Sequence, residues 1–161
     1  MRFHVGDRVV HWSHGLGEVV GVEERDLTGE KKTYYVVKIQ ELSVWVPNDE
    51  YLAKRLRAPT GRAAFDQLFA ILGGQAHSLP EDRHERKVQL RKKLEGGSAE
   101  DTCRVIRDLT SFEKKRPLNL DDQGVLRRAE AALRDEWVYA LSVAPADAQA
   151  ELRRLLGRKD S

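Results

Sequence analysis

The sequence predicts an α+β protein in which a small antiparallel β-barrel is followed by an all-α domain of about five helices. Short Val-rich segments separated by glycine-containing turns occupy residues 1–57, as expected for strands of a bent sheet. From Thr60 onward, apolar residues recur at helical spacing instead. Ala58 and Pro59 interrupt both patterns, because proline removes a backbone donor and restricts the residue before it. We therefore expect two domains, residues 1–57 and 60–161.

The first domain is expected to contain four or five strands. Arg8–Trp12 and Gly17–Arg25 predict a hairpin, because the glycines of the connecting HGLG segment accept the backbone angles of a tight turn. Lys32–Gln40 and Leu42–Pro47 follow as two further strands, and Lys54–Arg57 is a candidate for a last short one. Short strands at this close spacing are typical of a small barrel of the SH3 or Tudor type.

The second domain is expected to contain five helices, with apolar residues at intervals of three and four. Capping residues, prolines and glycines mark their ends. The signals, in chain order, are Phe65, Leu68, Phe69 and Leu72 ended by Gly73 and Gly74, the charged segment Pro80–Leu94, the capping pair Ser98 and Asp101, the cap Asn119, and the opening Pro145.

Composition sets limits on the class of protein. The 161 residues include one cysteine, Cys103, which cannot form an internal disulfide and which we expect to be a packed thiol. The N-terminal residues lack the apolar core of a secretory signal, and no apolar run is long enough to span a membrane. We therefore expect a cytoplasmic protein. The formal net charge of +2 permits binding to nucleic acid without requiring it.

Motifs of catalysis are absent from the sequence. It contains no P-loop, dinucleotide fingerprint, nucleophile elbow or CxxC pair, and His11 and His14 have no further ligands at metal-binding spacing. The neighbouring carboxylates Glu23-Glu24 and Asp121-Asp122 are candidates for acid–base chemistry, but solvated or helix-capping roles explain them better. We expect no enzyme activity, no cofactor and no metal site.

The strongest functional signal is a concentration of basic residues in the second helix and at the end of the third. Clustered lysines and arginines neutralise phosphates and release counterions, so they bind a duplex without reading its bases. The alternative is a solvated charged face, because acidic residues are interleaved. The basic residues are Arg83, Arg86, Lys87, Arg91, Lys92, Lys93, Lys114, Lys115 and Arg116.

The three tryptophans have different expected roles. Trp137 falls on an apolar helical stripe and is expected in the core. Trp45 alternates with Val44 and Val46, so it points to the opposite face of its strand, either as an exposed interface anchor or as a core residue. Trp12 follows the first strand and is expected to pack over the end of the barrel.

Four short segments, taken in the order in which they occur, resemble the N-terminal domain of the CarD/CdnL family of bacterial transcription regulators. They are VGDRVV, the HGLGEV turn, TGEKKTYYVVK and VWVP. LEGGSAEDTCRVIRDL is similar to the helical domain of the same family. The resemblance covers almost the whole chain. It implies a Tudor-like domain that binds the RNA polymerase β subunit by adding an edge strand. It also implies a helical domain that contacts promoter DNA beside the transcription bubble, without reading its sequence, and modulates the stability of the open complex.

The resemblance also assigns residues. Arg25 and Leu27 match a basic and an aliphatic polymerase-contacting position, and Trp45 stands at a third, where the relatives usually carry arginine. Arg83 stands where the family places a tryptophan wedge in the minor groove, and Arg86 matches a basic DNA-contacting position. An arginine binds phosphate or a narrow groove but lacks the flat apolar surface of a wedge.

The expected regulator is thus a non-enzymatic monomer, associated with the nucleoid, whose DNA contacts are Arg83, Arg86, Lys87 and Lys93. An alternative is a polymerase-binding adaptor whose helical domain recruits a protein partner instead of DNA. Salt-dependent binding to duplex DNA distinguishes the two, because only the first neutralises phosphates.

Overall fold

The computed structural model describes residues 2–26 and 29–158. The chain divides between Pro59 and Thr60 into two compact units. We call residues up to Pro59 the β unit and residues from Thr60 onward the helical unit. The α+β fold class predicted from the sequence is confirmed: in the described residues, all strands lie in the first unit and five helices follow in the second.

The described part of the β unit is one antiparallel sheet of five strands in the order β4-β3-β2-β1-β5. Its elements are β1 (Arg8–His11), β2 (Gly15–Asp26), β3 (Lys31–Ile39), β4 (Leu42–Pro47), a one-turn helix α1 (Leu52–Arg55) and β5 (Leu56–Arg57). The prediction of a strand over Lys54–Arg57 is wrong for its first half. Lys54 and Arg55 end α1, whose Leu52 is buried, and only the last two residues pair with β1.

The structure explains why glycine and histidine occur in and beside the β1–β2 turn. Gly15 has a φ of 89°, a region that favours glycine. A Cβ on Gly17 would lie 2.6 Å from Ile39 Cγ1, so only glycine allows β2 to pack this closely. His11 Nδ1 accepts hydrogen bonds from the backbone N–H groups of Ser13 and His14, each at 3.2 Å. Burial, with a smaller effect of His14, lowers the pKa of His11 to about 4, so the ring is a neutral acceptor at physiological pH.

Alternation along the strands builds the core of the β unit. Val19 pairs with Val37 in the β2–β3 register, and both are fully buried. Tyr35 lies on the same face two residues before Val37, and its hydroxyl accepts a hydrogen bond from the backbone N–H of Phe3 at 3.3 Å. The inner face of the sheet is therefore closed by the N-terminal segment.

Between residues 60 and 158, the helical unit contains five helices. They are α2 (Phe65–Leu72), α3 (Arg83–Glu95), α4 (Ala99–Lys115), α5 (Leu120–Leu141) and α6 (Pro145–Leu155). Ser98 and Asn119 cap α4 and α5 as predicted, by accepting from the N–H groups of Asp101 and Asp122. The second helix begins later than the proline signal indicated. Asp82 caps it by accepting from the N–H of Glu85, so Pro80 precedes the helix.

Helix α4 supplies the centre of the helical core. Cys103, Val105, Ile106 and Leu109 are fully buried there, against α2, α3 and α5. The prediction that Cys103 is a packed thiol is thus confirmed. Trp137 is buried as predicted and belongs to the same core, as its ring centroid lies 4.8 Å from that of Phe69. Of the helices described, none is both long and apolar enough to cross a membrane.

Candidate functional site

An exposed cluster of three side chains lies on the outer face of the sheet. The indole N–H of Trp45 on β4 donates to Glu23 Oε2 at 3.0 Å, and Arg25 Nε donates to the same oxygen at 2.9 Å. The Arg25 guanidinium also lies 5.2 Å from the centroid of the Trp45 ring, within cation–π range. We call these residues the Trp45 cluster. It joins β2 to β4 across the intervening β3.

The register of the sheet explains how the cluster forms. Trp45 is directly opposite Val36, and Glu23 is directly opposite Tyr34, so all four side chains share one face. Val36 and Tyr34 are buried although they are on the outer face. Hydrogen bonds from Trp45 first, and Arg25 second, lower the pKa of Glu23, so its carboxylate stays ionised and holds both partners.

The cluster brings together two of the three residues predicted to contact the polymerase. Trp45 is 39% exposed, so it is neither a fully exposed interface anchor nor a core residue, the two alternatives that the sequence left open. Its ring covers part of β3 and leaves the rest of its surface exposed. Leu27 lies outside the described residues. Glu23 was predicted only as a solvated carboxylate. Glu23 and Arg25 are two residues apart in a predicted strand, and this spacing indicates that their side chains lie on the same face of the sheet.

Within the described residues, strand β4 forms an edge of the sheet, and no strand pairs with its outer side. The N–H of Asn48 donates to the carbonyl of Thr33 at 2.9 Å. Because every second residue of an antiparallel strand bonds to the same neighbour, Val46 and Val44 also bond to β3. Ser43 and Trp45 therefore direct their N–H and C=O groups away from β3. Pro47 has the same orientation but no N–H, as is usual for proline in an edge strand. The open edge thus offers two donors beside the Trp45 cluster.

The helical unit presents a row of cations on α3. Arg83, Lys87 and Arg91 are exposed and follow one another at intervals of four residues, which puts them on one face about 6 Å apart along the axis. Lys87 is 3.6 Å from the Asp121 carboxylate, in an exposed pair. Within the described ranges, Arg83 and Arg91 have no ion-pair partner. We call these three residues the α3 basic row.

Like charges at this spacing slightly destabilise a helix, and within the described residues only Lys87 of the three has an ion-pair partner. The row therefore leaves two exposed arginines available to an anion. Lys93 differs from the row in being partly buried on the side of α3 that faces the core. Of the residues predicted to contact DNA, Arg83 and Lys87 therefore share one exposed face of α3, and Lys93 lies outside that face.

Arg86 does not fit the role of a DNA-contacting residue, because it is 4% exposed and its donors are used inside the protein. Its Nε and Nη2 donate to Asp122 Oδ2 at 3.0 and 2.8 Å, and Nη1 donates to the carbonyls of Pro80 and Glu81 at 3.0 and 3.1 Å. The guanidinium also lies 4.6 Å from the centroid of Phe112. Arg86 thereby fixes the start of α3 against α4 and α5, and it orients the basic row.

Three of the four carboxylates considered for acid–base chemistry bond to other side chains. Glu23 bonds to Trp45 and Arg25, Asp121 pairs with Lys87, and Asp122 is buried with Arg86. In the described parts of the chain, no group of three or more His, Cys, Asp or Glu residues is arranged to hold a metal ion.

Comparison with known proteins agrees with this two-part arrangement. Residues 67–153 match the family model described as CarD, C-terminal domain, and residues 3–51 match the model described as CarD-like/TRCF RID domain. The chain is also similar to a protein of Bacillus subtilis (strain 168) named "Putative transcription factor YdeB". The two are 28% identical over 130 residues, which cover 79% of this chain and 84% of that protein. Because the first family model alone spans more than half of the chain and the second covers most of the β unit, the protein belongs to the CarD-like family of transcription regulators.

Proposed function

We propose that this protein is a non-enzymatic bacterial transcription regulator that binds the β subunit of RNA polymerase through its β unit and promoter DNA through its helical unit. By holding both, it modulates the stability of the open complex as a cytoplasmic, nucleoid-associated monomer. The observation that carries the proposal is the Trp45 cluster beside the open edge of β4, in a domain that matches the RID family model.

The polymerase contact combines two kinds of interaction. The outward N–H and C=O groups of Ser43 and Trp45 allow one strand of the partner to extend the sheet, which supplies affinity independent of side chains. The Trp45 ring and the Arg25 guanidinium then supply specificity, since tryptophan and arginine are enriched at interface centres. Glu23 holds both in place before binding, which lowers the entropy cost of association.

Binding of the full-length chain to the isolated polymerase β subunit, measured by isothermal titration calorimetry, tests the first half of the proposal. We expect a saturable one-to-one complex. Strand addition to a preformed edge buries apolar area, so the heat-capacity change of binding should be negative. Absence of binding, when a CarD-like protein from another bacterium binds the same preparation, would contradict the polymerase role.

The DNA contact is assigned to the α3 basic row. Arg83, Lys87 and Arg91 are spaced to follow the phosphates of one strand, and no base-reading arrangement is needed for cations of this kind. Arg86 contributes by positioning these residues and not by touching DNA. The resulting contact is independent of base sequence and weakens with salt.

Replacing both unpaired arginines of the row, as Arg83→Ala/Arg91→Ala, should make the dependence of log affinity on log salt concentration less steep by about two units. Each arginine that contacts a phosphate releases about one counterion. The measurement is fluorescence anisotropy with a labelled duplex over a series of salt concentrations.

The matched control is Arg127→Ala/Arg128→Ala, which removes the same formal charge from two exposed arginines of α5. An equal change in slope for the control would mean that overall charge, and not the α3 row, determines binding. If the unmodified protein binds the polymerase but no duplex, the helical unit is better explained as a docking site for a protein partner.

A further inference from the structure

The first residues of the helical unit are tied to the last turns of α5. The backbone N–H of Thr60 donates to Glu136 Oε2 at 2.7 Å, across 76 positions of sequence. Two residues later, Arg62 Nη2 donates to the carbonyl of Leu141, which is the last residue of α5, at 3.2 Å. We call residues 60–64 the strap. Its start is therefore held by hydrogen bonds to one helix.

The end of the strap is held by packing. The carbonyls of Gly61 and Arg62 accept from the N–H groups of Ala64 and Phe65 at 3.1 and 3.2 Å, which forms a turn that leads into α2. Phe65 is buried, and its ring centroid lies 6.2 Å from that of Trp137 on α5. Residues 61–64 are exposed, so their fixed path depends on these ends and not on burial of the strap itself.

Glu136 is an unusual residue for its position, because it is 2% exposed and adjacent in sequence to the core residue Trp137. Burying a carboxylate costs free energy, and an apolar side chain of similar size at such a position often gives a more stable protein. Packing alone thus does not explain an acidic residue here. The hydrogen bond from Thr60 gives the buried carboxylate a specific role.

The strap determines how much chain separates the two units. Arg57 is paired with β1, and Thr60 is held by Glu136, so residues 58 and 59 alone lie between these fixed points. The hydrogen bond of Arg62 is exposed and is weak by itself. Without the carboxylate, the chain as far as Arg62 would join the linker, which would lengthen from residues 58–59 to residues 58–62.

We propose that Glu136 is a positioning residue that keeps this linker short, so that a chain bound to the polymerase through its β unit presents its helical unit to the adjacent DNA at a high local concentration. The second of two linked binding events has an effective concentration that falls roughly as the −3/2 power of linker length once the linker exceeds the span. The inference rests on the proposed function and goes beyond it, because it assigns the coupling of the two contacts to a residue too buried to touch either partner.

The first measurement tests whether Glu136 holds the strap. Nitrogen-15 relaxation of the full chain gives backbone order parameters for residues 60–62, which we expect to match those of the helices. In Glu136→Met, which keeps the length of the side chain and removes the carboxylate, they should fall below about 0.6, the range of flexible backbone. Glu136→Gln should keep them high, because its amide oxygen still accepts from the N–H of Thr60.

The second measurement tests the coupling, by titrating fluorescently labelled full-length protein with a complex of RNA polymerase and promoter DNA. The affinity of Glu136→Met should fall about fourfold, the ratio expected when the linker lengthens from two residues to five. Its affinities for the isolated β subunit and for a free duplex should not change. General damage to the helical unit would instead weaken duplex binding too.

The matched control is Glu130→Met, which removes another carboxylate from α5, one that pairs with Arg158 at 2.6 Å. It should change neither the order of residues 60–62 nor the affinity for the complex. The hold on the strap is overturned if residues 60–62 stay ordered in Glu136→Met, and the coupling is overturned if they lose order while the affinity for the complex is unchanged. If the unmodified protein binds the complex no more tightly than its separate components, the coupling and the proposed joint contact both fail, and the relaxation data still decide whether Glu136 holds the strap.

Discussion

Replacement of Arg86 by methionine is expected to destabilise the helical unit by about 3–5 kcal/mol, the range for breaking one side of a buried ion pair. Methionine keeps the length of the side chain and its packing on Phe112. It leaves the Asp122 carboxylate as a buried charge without its guanidinium, and the carbonyls of Pro80 and Glu81 lose their donor. The measurement is chemical denaturation followed by far-UV circular dichroism, which reports mainly on this unit because it contains the long helices.

Two further variants separate this cause from general damage to the fold. Arg86→Met/Asp122→Leu removes both charges and should be more stable than Arg86→Met alone, because no unpaired charge remains. Lys87→Ala removes an exposed pair from the neighbouring position and should cost less than about 1 kcal/mol. A loss of similar size for Lys87→Ala and Arg86→Met would refute the buried role of Arg86.

Trp45→Ala is expected to weaken binding to the polymerase β subunit by about 2 kcal/mol, or about thirtyfold. The change removes the large aromatic surface next to the open edge of β4. It also frees Glu23 and Arg25 from the arrangement that Trp45 completes, so the partner must order them on binding. Calorimetry with the isolated β subunit gives the change in affinity directly.

Trp12→Ala provides a closely matched control, because Trp12 is 41% exposed and follows β1, toward the opposite edge of the same sheet. It should bind the polymerase as the unmodified protein does. Equal losses in the two variants would indicate damage to the β unit, and an unaffected Trp45→Ala would remove the cluster from the interface.

The partners of Arg86 and Trp45 could not be predicted from the local sequence pattern. In the sequence, Arg86 is one of several basic residues in a charged helix. In the structure it bonds to Asp122, which lies 36 positions later. The sequence spacing contains no sign that the two meet in the interior. Glu23 and Trp45 are 22 positions apart and meet only because β3 lies between their strands with a fixed register.

Element boundaries show a similar division. The four-residue helix α1 is too short to leave a periodic signal, and isolated helices of that length are unstable, so burial of Leu52 determines that it forms. The late start of α3 was decided by the Asp82 cap in competition with a proline signal of comparable strength.

The sequence by itself determined the α+β class, the change of periodicity after Pro59, the caps of α4 and α5 and the family resemblance, because these depend on residues close in the chain. Tertiary structure alone decided which charges are buried and which face Trp45 shares with Arg25 and Glu23. Charge and apolar character are properties of a residue, whereas burial and partnership depend on what the rest of the fold brings to it.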